Sequence, residues 1–319
     1  MSLHVTVIPR PSPLWSHAAR SPLWQQQQRL AAALAPQMQQ GWYATVMALR
    51  QALPTTDLQD ALLGGQSIVI TYALTVLWDE LVSAEVQQWL LPLVYLQIAD
   101  LLRMLTPSVR ALQVPDSRLR LTTSTPALQT ALSTYVDTLL HTLADRAVTA
   151  LSMRVQQGLD AGQSVPDLIR TIRNAVGLTV TQAASLDTYH TSLLEEGVPE
   201  AQAQGQVRLR SERALRLHAE LFGATVSMDA IHTMTQTFWQ EQVAAGALNP
   251  DEVRRLWVID GTTACAAICA PIPALNPHGV RLTEPFQTPI GELMGPTAHP
   301  RCRCTLALGT VASPADFVV

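Results

Sequence analysis

The sequence predicts a mainly α-helical protein: a multi-helix body followed by a small C-terminal α+β module rich in Cys and His. Three observations predict this. Apolar residues recur at helical spacing from Trp24 to about Ala245, with few turn clusters between them. The pattern stops at Asn249-Pro250, and eight of the 21 prolines fall between Pro250 and Pro300, which excludes a long helix there. All four cysteines lie in that last stretch, at Cys265, Cys269, Cys302 and Cys304. A module this small is short of core and usually needs a metal or disulfides.

Taken in order, residues 1–23 carry Pro9, Pro11, Pro13 and Pro22 and read as an extended arm. Residues 24–125 read as an N-terminal helical domain with turns at Pro54-Thr55-Thr56 and Gly64-Gly65. Within it, Trp78–Leu105 is apolar nearly all round, which predicts a buried helix or a subunit contact, and Pro92 should kink or divide it. Residues 113–126 form a turn-rich linker, so a domain boundary is expected near 125.

The central helical domain, 126–250, opens with a long helix whose stripe is Leu128, Leu132, Tyr135, Leu139, Leu143 and Val148, running to Gly158. Ser164 caps the next helix, with Asp167 in its first turn. Thr179 starts another. Gln202–Phe222 is helical with Leu215, Ala219 and Phe222 in one stripe, and Ser227 starts a last helix reaching Ala245. The module spans 251–312, with strands expected at Trp257-Val-Ile and Gly279-Val-Arg-Leu, and a tail at 313–319.

Composition excludes several classes of chemistry. Every one of the 21 basic residues is arginine, so a phosphate-loop lysine, a Schiff-base lysine and a lysine general base are all ruled out. A formal net charge of −4 argues against a chain coated in nucleic acid. No His-Glu-x-x-His, Gly-x-Ser-x-Gly or Gly-x-Gly-x-x-Gly occurs, and no enzyme is expected. The first residues lack the charged start and apolar run of a signal peptide, so intracellular synthesis with reduced or metal-bound thiols is the expectation. The runs 30–49 and 61–78 carry no charge but are interrupted by Gln, Gly or Pro, which favours buried helices over membrane spans.

The Cys and His residues carry the most chemistry. Cys265, Cys269, His299 and one of Cys302 or Cys304 make a set of three cysteines and one histidine, which suits a structural zinc with no open position. Cys265 and Cys269 at i, i+4 would share a face of a helical turn. Cys302 and Cys304 would share a face in a strand, whereas in a tight turn only one would reach the ion. A disulfide pair and simple buried thiols are the alternatives. His278 is a reserve ligand or a turn residue.

This module can be quoted as Trp257, Asp260, Cys265 and Cys269, Gly279-Val280, Phe286, and the closing His299-Pro300-Arg301-Cys302-Arg303-Cys304. It resembles the C-terminal signature of the phage head morphogenesis, or minor head, proteins related to the phage Mu F protein. The likeness is closest over 255–306 and extends more weakly over 165–310, where Gly177-Leu178-Thr179, Gln182-Ala183 and Tyr189 precede an Arg-rich helix with Arg208, Arg210, Arg213 and Arg216. The resemblance implies a structural minor component of a tailed-phage head, located in the virion. It would act with the portal protein or the major capsid protein in head assembly, DNA packaging or ejection, and no catalytic residues come with it.

Two other readings stand beside it. Arg210, Arg213 and Arg216 on one helix, with Arg301 and Arg303 at the knuckle, are candidate contacts to packaged double-stranded DNA, because guanidinium groups fork phosphate oxygens. The uncharged run 61–78 and the apolar stretch 86–99 raise a membrane-active ejection protein as the other.

Overall fold

The computed structural model describes residues 22–53, 84–110, 126–259, 265–310 and 313–318, with short pieces at 59–60, 63, 75–76 and 78. The arm before Pro22, the turns at 54–56 and 64–65, the linker before Pro126, Asp260 and nearly all of the run 61–78 lie outside the described residues. The protein is mainly helical with a small C-terminal α+β module.

Helix α1 (Pro22–Ala52) starts on a proline, whose missing N–H costs nothing at a first-turn position. Its buried face runs Leu23, Gln27, Leu30, Leu34, Met38, Trp42, Val46 and Leu49, spaced at three or four residues throughout. Helix α2 (Ala84–Arg110) buries Val86, Leu90, Val94, Leu101 and Leu105. It runs through Pro92 without dividing, contrary to one of the two expected outcomes. Pro92 and Gln88, whose carbonyl loses its partner, are both exposed, so water can take that carbonyl. Pro36 within α1 is exposed in the same way.

Helix α3 (Pro126–Asp160) buries Leu128, Leu132, Val136, Leu140 and Ala144, then Leu151 and Val155. Beyond Leu132 this stripe lies one residue later than expected: Tyr135, Leu139, Leu143 and Val148 are half-buried. Helix α4 (Val165–Ala175) has Ser164 as its N-cap, accepting from the Asp167 N–H. Helix α5 (Val180–Glu195) opens on a capping box between Thr179 and Gln182, with bonds of 3.0 and 3.2 Å.

Helix α6 (Glu200–Ala244) is continuous over 45 residues. The separate start expected at Ser227 does not exist, because Ser227 is fully buried in the helix interior. Gly223, just before Ser227, costs a helix about 1 kcal/mol and does not end it.

After α6 come β1 (Val253–Val258), the one-turn helix α7 (Ile272–Leu275), β2 (Phe286–Thr288), β3 (Gly291–Leu293), β4 (Thr305–Thr310) and β5 (Ser313–Val318). One antiparallel sheet has the order β1-β4-β5, and β2 and β3 form a hairpin. The strand expected at 279–282 is reduced to one bridge, Arg255 to Val280, with N–H···O bonds of 2.7 and 2.9 Å. Gly279 explains this. Its φ of 68° turns the chain, and an added Cβ would lie 2.5 Å from the Arg255 carbonyl, so the backbones meet there and diverge again. Ser313–Val318, expected as a tail, supplies edge strand β5, a position that tolerates Pro314.

The chain divides into two compact units, each assembled from separate segments: 1–36, 93–135 and 224–319 in one, 37–92 and 136–223 in the other. In the second unit, Trp42 stacks on Phe222 at 4.6 Å, and the buried Arg50 donates to the Val176 and Asn174 carbonyls at the end of α4. Burial lowers the Arg50 pKa to about 10. In the first unit, Trp257 meets Phe286 edge-on at 5.3 Å, and Trp24 packs against Leu256, Val258 and Ala307. Among the described residues no helix is long and apolar enough to cross a membrane.

Candidate metal centre

The site is built within the first unit, from two loops brought against α6. The turn 266–270 follows Cys265 and closes on it, with the Cys269 N–H donating to the Cys265 carbonyl at 3.0 Å. A second turn, closed by the Cys302 N–H on the His299 carbonyl at 3.1 Å, leads into β4. Arg301 takes a left-handed φ of 59° there. From Cys302 the chain alternates: Cys302 buried, Arg303 exposed, Cys304 buried. This is strand periodicity carried back from β4, so both thiols reach the same side.

Cys269, Cys302 and Cys304 are therefore buried together, with their sulfurs all within 4.8 Å. The Cys269 and Cys302 sulfurs are 3.9 Å apart. Sulfurs bound 2.3 Å from a tetrahedral zinc stand about 3.8 Å apart, so this spacing suits one shared ion. His299 Nε2 lies 3.1 Å from the Cys269 sulfur, and its Nδ1 lies 2.8 Å from the Pro300 carbonyl. With Nδ1–H donating to that carbonyl, Nε2 presents a lone pair, the orientation metal-bound histidines adopt.

The three thiols share protons. Hydrogen bonds from Cys269 and then Cys304 hold the Cys302 thiol far below its ordinary pKa. Its bond to Cys302 contributes most to raising the Cys269 thiol, to about 12, and the bond to Cys269 contributes most to raising Cys304. One thiolate flanked by two thiols is an electron-rich pocket. A divalent cation would replace the shared protons, so the cluster could hold a metal ion.

Of the five residues singled out in the sequence, these three cysteines come together and His299 adjoins them. Cys265 is half-buried and stands outside the three-sulfur cluster. Its thiol is lowered by the backbone N–H groups of Ile268 and Ala267. All four cysteines are free. His278 is exposed, in a turn.

Sequence reasoning missed His232. It lies on α6 and is fully buried, and neither ring nitrogen has a hydrogen-bond partner among the described residues. Burial lowers its pKa to about 4, against the opposing pull of Cys302. The backbone at Pro296 and Cys304 also favours its proton, without reaching hydrogen-bond geometry. Helical spacing from Met228 and Trp239, both buried, carried the signal that His232 faces inward.

The knuckle is also stapled to helices. Gln28 on α1 donates to the Arg303 carbonyl at 3.0 Å, and the Arg303 guanidinium stands 5.8 Å over the Trp24 ring. The Arg301 N–H donates to Thr225 Oγ1 on α6 at 3.3 Å. In the other unit, the guanidinium of Arg210 lies over Tyr189 at 4.3 Å and that of Arg216 over Tyr43 at 5.7 Å, while Arg213 is exposed. Comparison with protein-family models, curated proteins and solved structures finds no match.

Proposed function

We propose that the chain is a structural minor head protein of a tailed bacteriophage, whose C-terminal module is closed by a zinc ion on Cys269, Cys302, Cys304 and His299. It would act in the virion with the portal or the major capsid protein, and its role is assembly rather than catalysis. One observation carries the reading. The closing His299–Cys304 hexapeptide, the most specific part of the resemblance, brings Cys302 and Cys304 into one buried cluster with Cys269 and sets His299 Nε2 3.1 Å from the Cys269 sulfur. A family signature of this kind is expected to mark a structural centre, and a closed set of three sulfurs and one nitrogen suits zinc in a structural site.

Two measurements test it. Mass spectrometry of purified phage particles and of their empty precursors should find peptides of this chain at low copy. Their absence from both would overturn the virion assignment. Metal analysis of the reduced full chain should find zinc, and Cys269→Ser and His299→Ala should lose it while far-ultraviolet circular dichroism keeps the helical signal. Metal-free wild-type protein of unchanged stability would overturn the zinc.

A further inference from the structure

We propose that the cleft between α3, α4, α5 and the start of α6 binds a phosphate-bearing ligand of nucleotide size. The cleft lies within the second unit and encloses about 640 Å³, within the usual range for small-molecule sites. Its floor is open because α6 carries Gly205 there, and an added Cβ at Gly205 would meet nothing within 4 Å.

The charges around it do not balance. Arg154 pairs with Asp187 and Arg170 pairs with Asp167, while Glu200 accepts from Gln204 and lies 3.3 Å from His190 Nε2. All three carboxylates are thereby occupied. Arg173 and Arg208 also line the cleft, and among the described residues neither has an ion pair or hydrogen bond.

The Nε–H groups of Arg154 and Arg173 are shielded from water and have no acceptor, and the Arg154 side chain is only 8% exposed. A shielded guanidinium N–H without an acceptor is costly, and nearly all such groups in folded proteins are satisfied. Since these two groups are closed to solvent, an anion in the open cleft would meet the remaining N–H groups of Arg173 and Arg208, which line it. Four arginines against three carboxylates leave the lining net positive, and the guanidinium fork suits the oxygens of a phosphomonoester. The volume exceeds a bare phosphate, and Asn174, Gln163 and Thr191 line the remainder as polar contacts for a nucleoside. The same phosphomonoester occurs on a free mononucleotide and at the end of a phosphorylated DNA strand.

Calorimetric titration of the full chain tests this. The probes are deoxyadenosine monophosphate, deoxyadenosine, inorganic phosphate, and one oligonucleotide with and without a terminal phosphate. The monophosphate should bind with a Kd below about 1 mM, and deoxyadenosine should not bind. Arg173→Met with Arg208→Met should weaken binding at least about tenfold. Gly205→Leu, which keeps both arginines, fills the floor and improves helix propensity, should weaken it as much. Arg213→Met, on the same helix outside the cleft, should change it less than about twofold. Tighter binding of the phosphorylated strand than of the monophosphate assigns the cleft to strand ends, and the reverse assigns it to free nucleotide. Failure of both to bind, binding of inorganic phosphate alone, or an equal loss in Arg213→Met overturns the proposal.

Discussion

Asp229 shows how single positions on α6 organise the knuckle. Its carboxylate accepts from the Thr297 hydroxyl at 2.7 Å, beside the Tyr135 hydroxyl, which donates to the Val226 carbonyl at 3.2 Å. Thr297 needs that anchor, because a β-branched residue at a φ of 83° is strained. Burial raises the Asp229 pKa, and the Thr297 and Tyr135 hydroxyls only partly oppose this. The folded state therefore holds the proton more tightly than the unfolded chain. The stability from protonation is fully present below the ordinary carboxylate value and is lost as pH rises through the raised one. Asp229→Asn should accordingly raise the thermal midpoint relative to wild type at neutral pH and not at acid pH. A loss of equal size at every pH would count against this account. Gly177 is the second such position. Its φ is 77°, and an added Cβ would lie 2.4 Å from Val46 Cγ1. Gly177→Ala should cost more than about 2 kcal/mol in denaturant unfolding, from backbone strain and overpacking together. The sequence shows the glycine two residues before the helix start at Thr179, but its contact with α1 was not legible, because nothing local to residue 177 reports on residue 46.

Elements divide by how local their signals are. The caps of α4 and α5 were readable because Ser164 and Thr179 satisfy N–H groups within three residues. Thr179→Ala should cost about 1 kcal/mol, read as a shifted urea midpoint. The continuity of α6 through Ser227 was not readable, because a buried serine carries the same letter as a capping one. The module's sheet was half legible. Trp257-Val258 belongs to β1 as expected, while β4 was missed because its ladder with β1 pairs residues about 50 positions apart, and β5, which pairs only with β4, was missed with it. Arg255 was also missed. It is fully buried on β1 and donates to the carbonyls of Met294, Glu284 and Arg281 and to Gln236 Oε1. Burial lowers its pKa to about 10, against the opposing effect of Glu284. It also lies over Phe286 at 5.2 Å. Arg255→Met keeps the stem but strands those acceptors, and should destabilise the module by about 3 kcal/mol.

At the scale of the whole molecule, the absence of lysine and the low charge removed catalytic classes before any fold was considered. Neither says what the remaining arginines do. Arg210 and Arg216 lie over tyrosines, and Arg303 over a tryptophan, so part of the predicted basic surface is engaged with the protein's own aromatic faces. Zinc should also couple the module to pH, since metal replaces thiol protons. Zinc content measured after dialysis should fall as the buffer is acidified, and the thermal midpoint of the full chain should fall with it. Zinc content that does not change across that titration would contradict thiolate ligation. By itself the sequence determined the mainly helical class, the helix starts at Ser164 and Thr179, and the confinement of all four cysteines to residues 265–304. These are properties of spacing and composition. Only the tertiary structure decided that Cys302 and Cys304 both join Cys269 while Cys265 stands apart, that His232 is buried on α6 within the field of Cys302, and that Arg255 is buried on β1. The physical reason is that convergence depends on long-range packing. A helix or strand reports its own period within a few residues, whereas a buried site is closed by groups whose meeting no local period records.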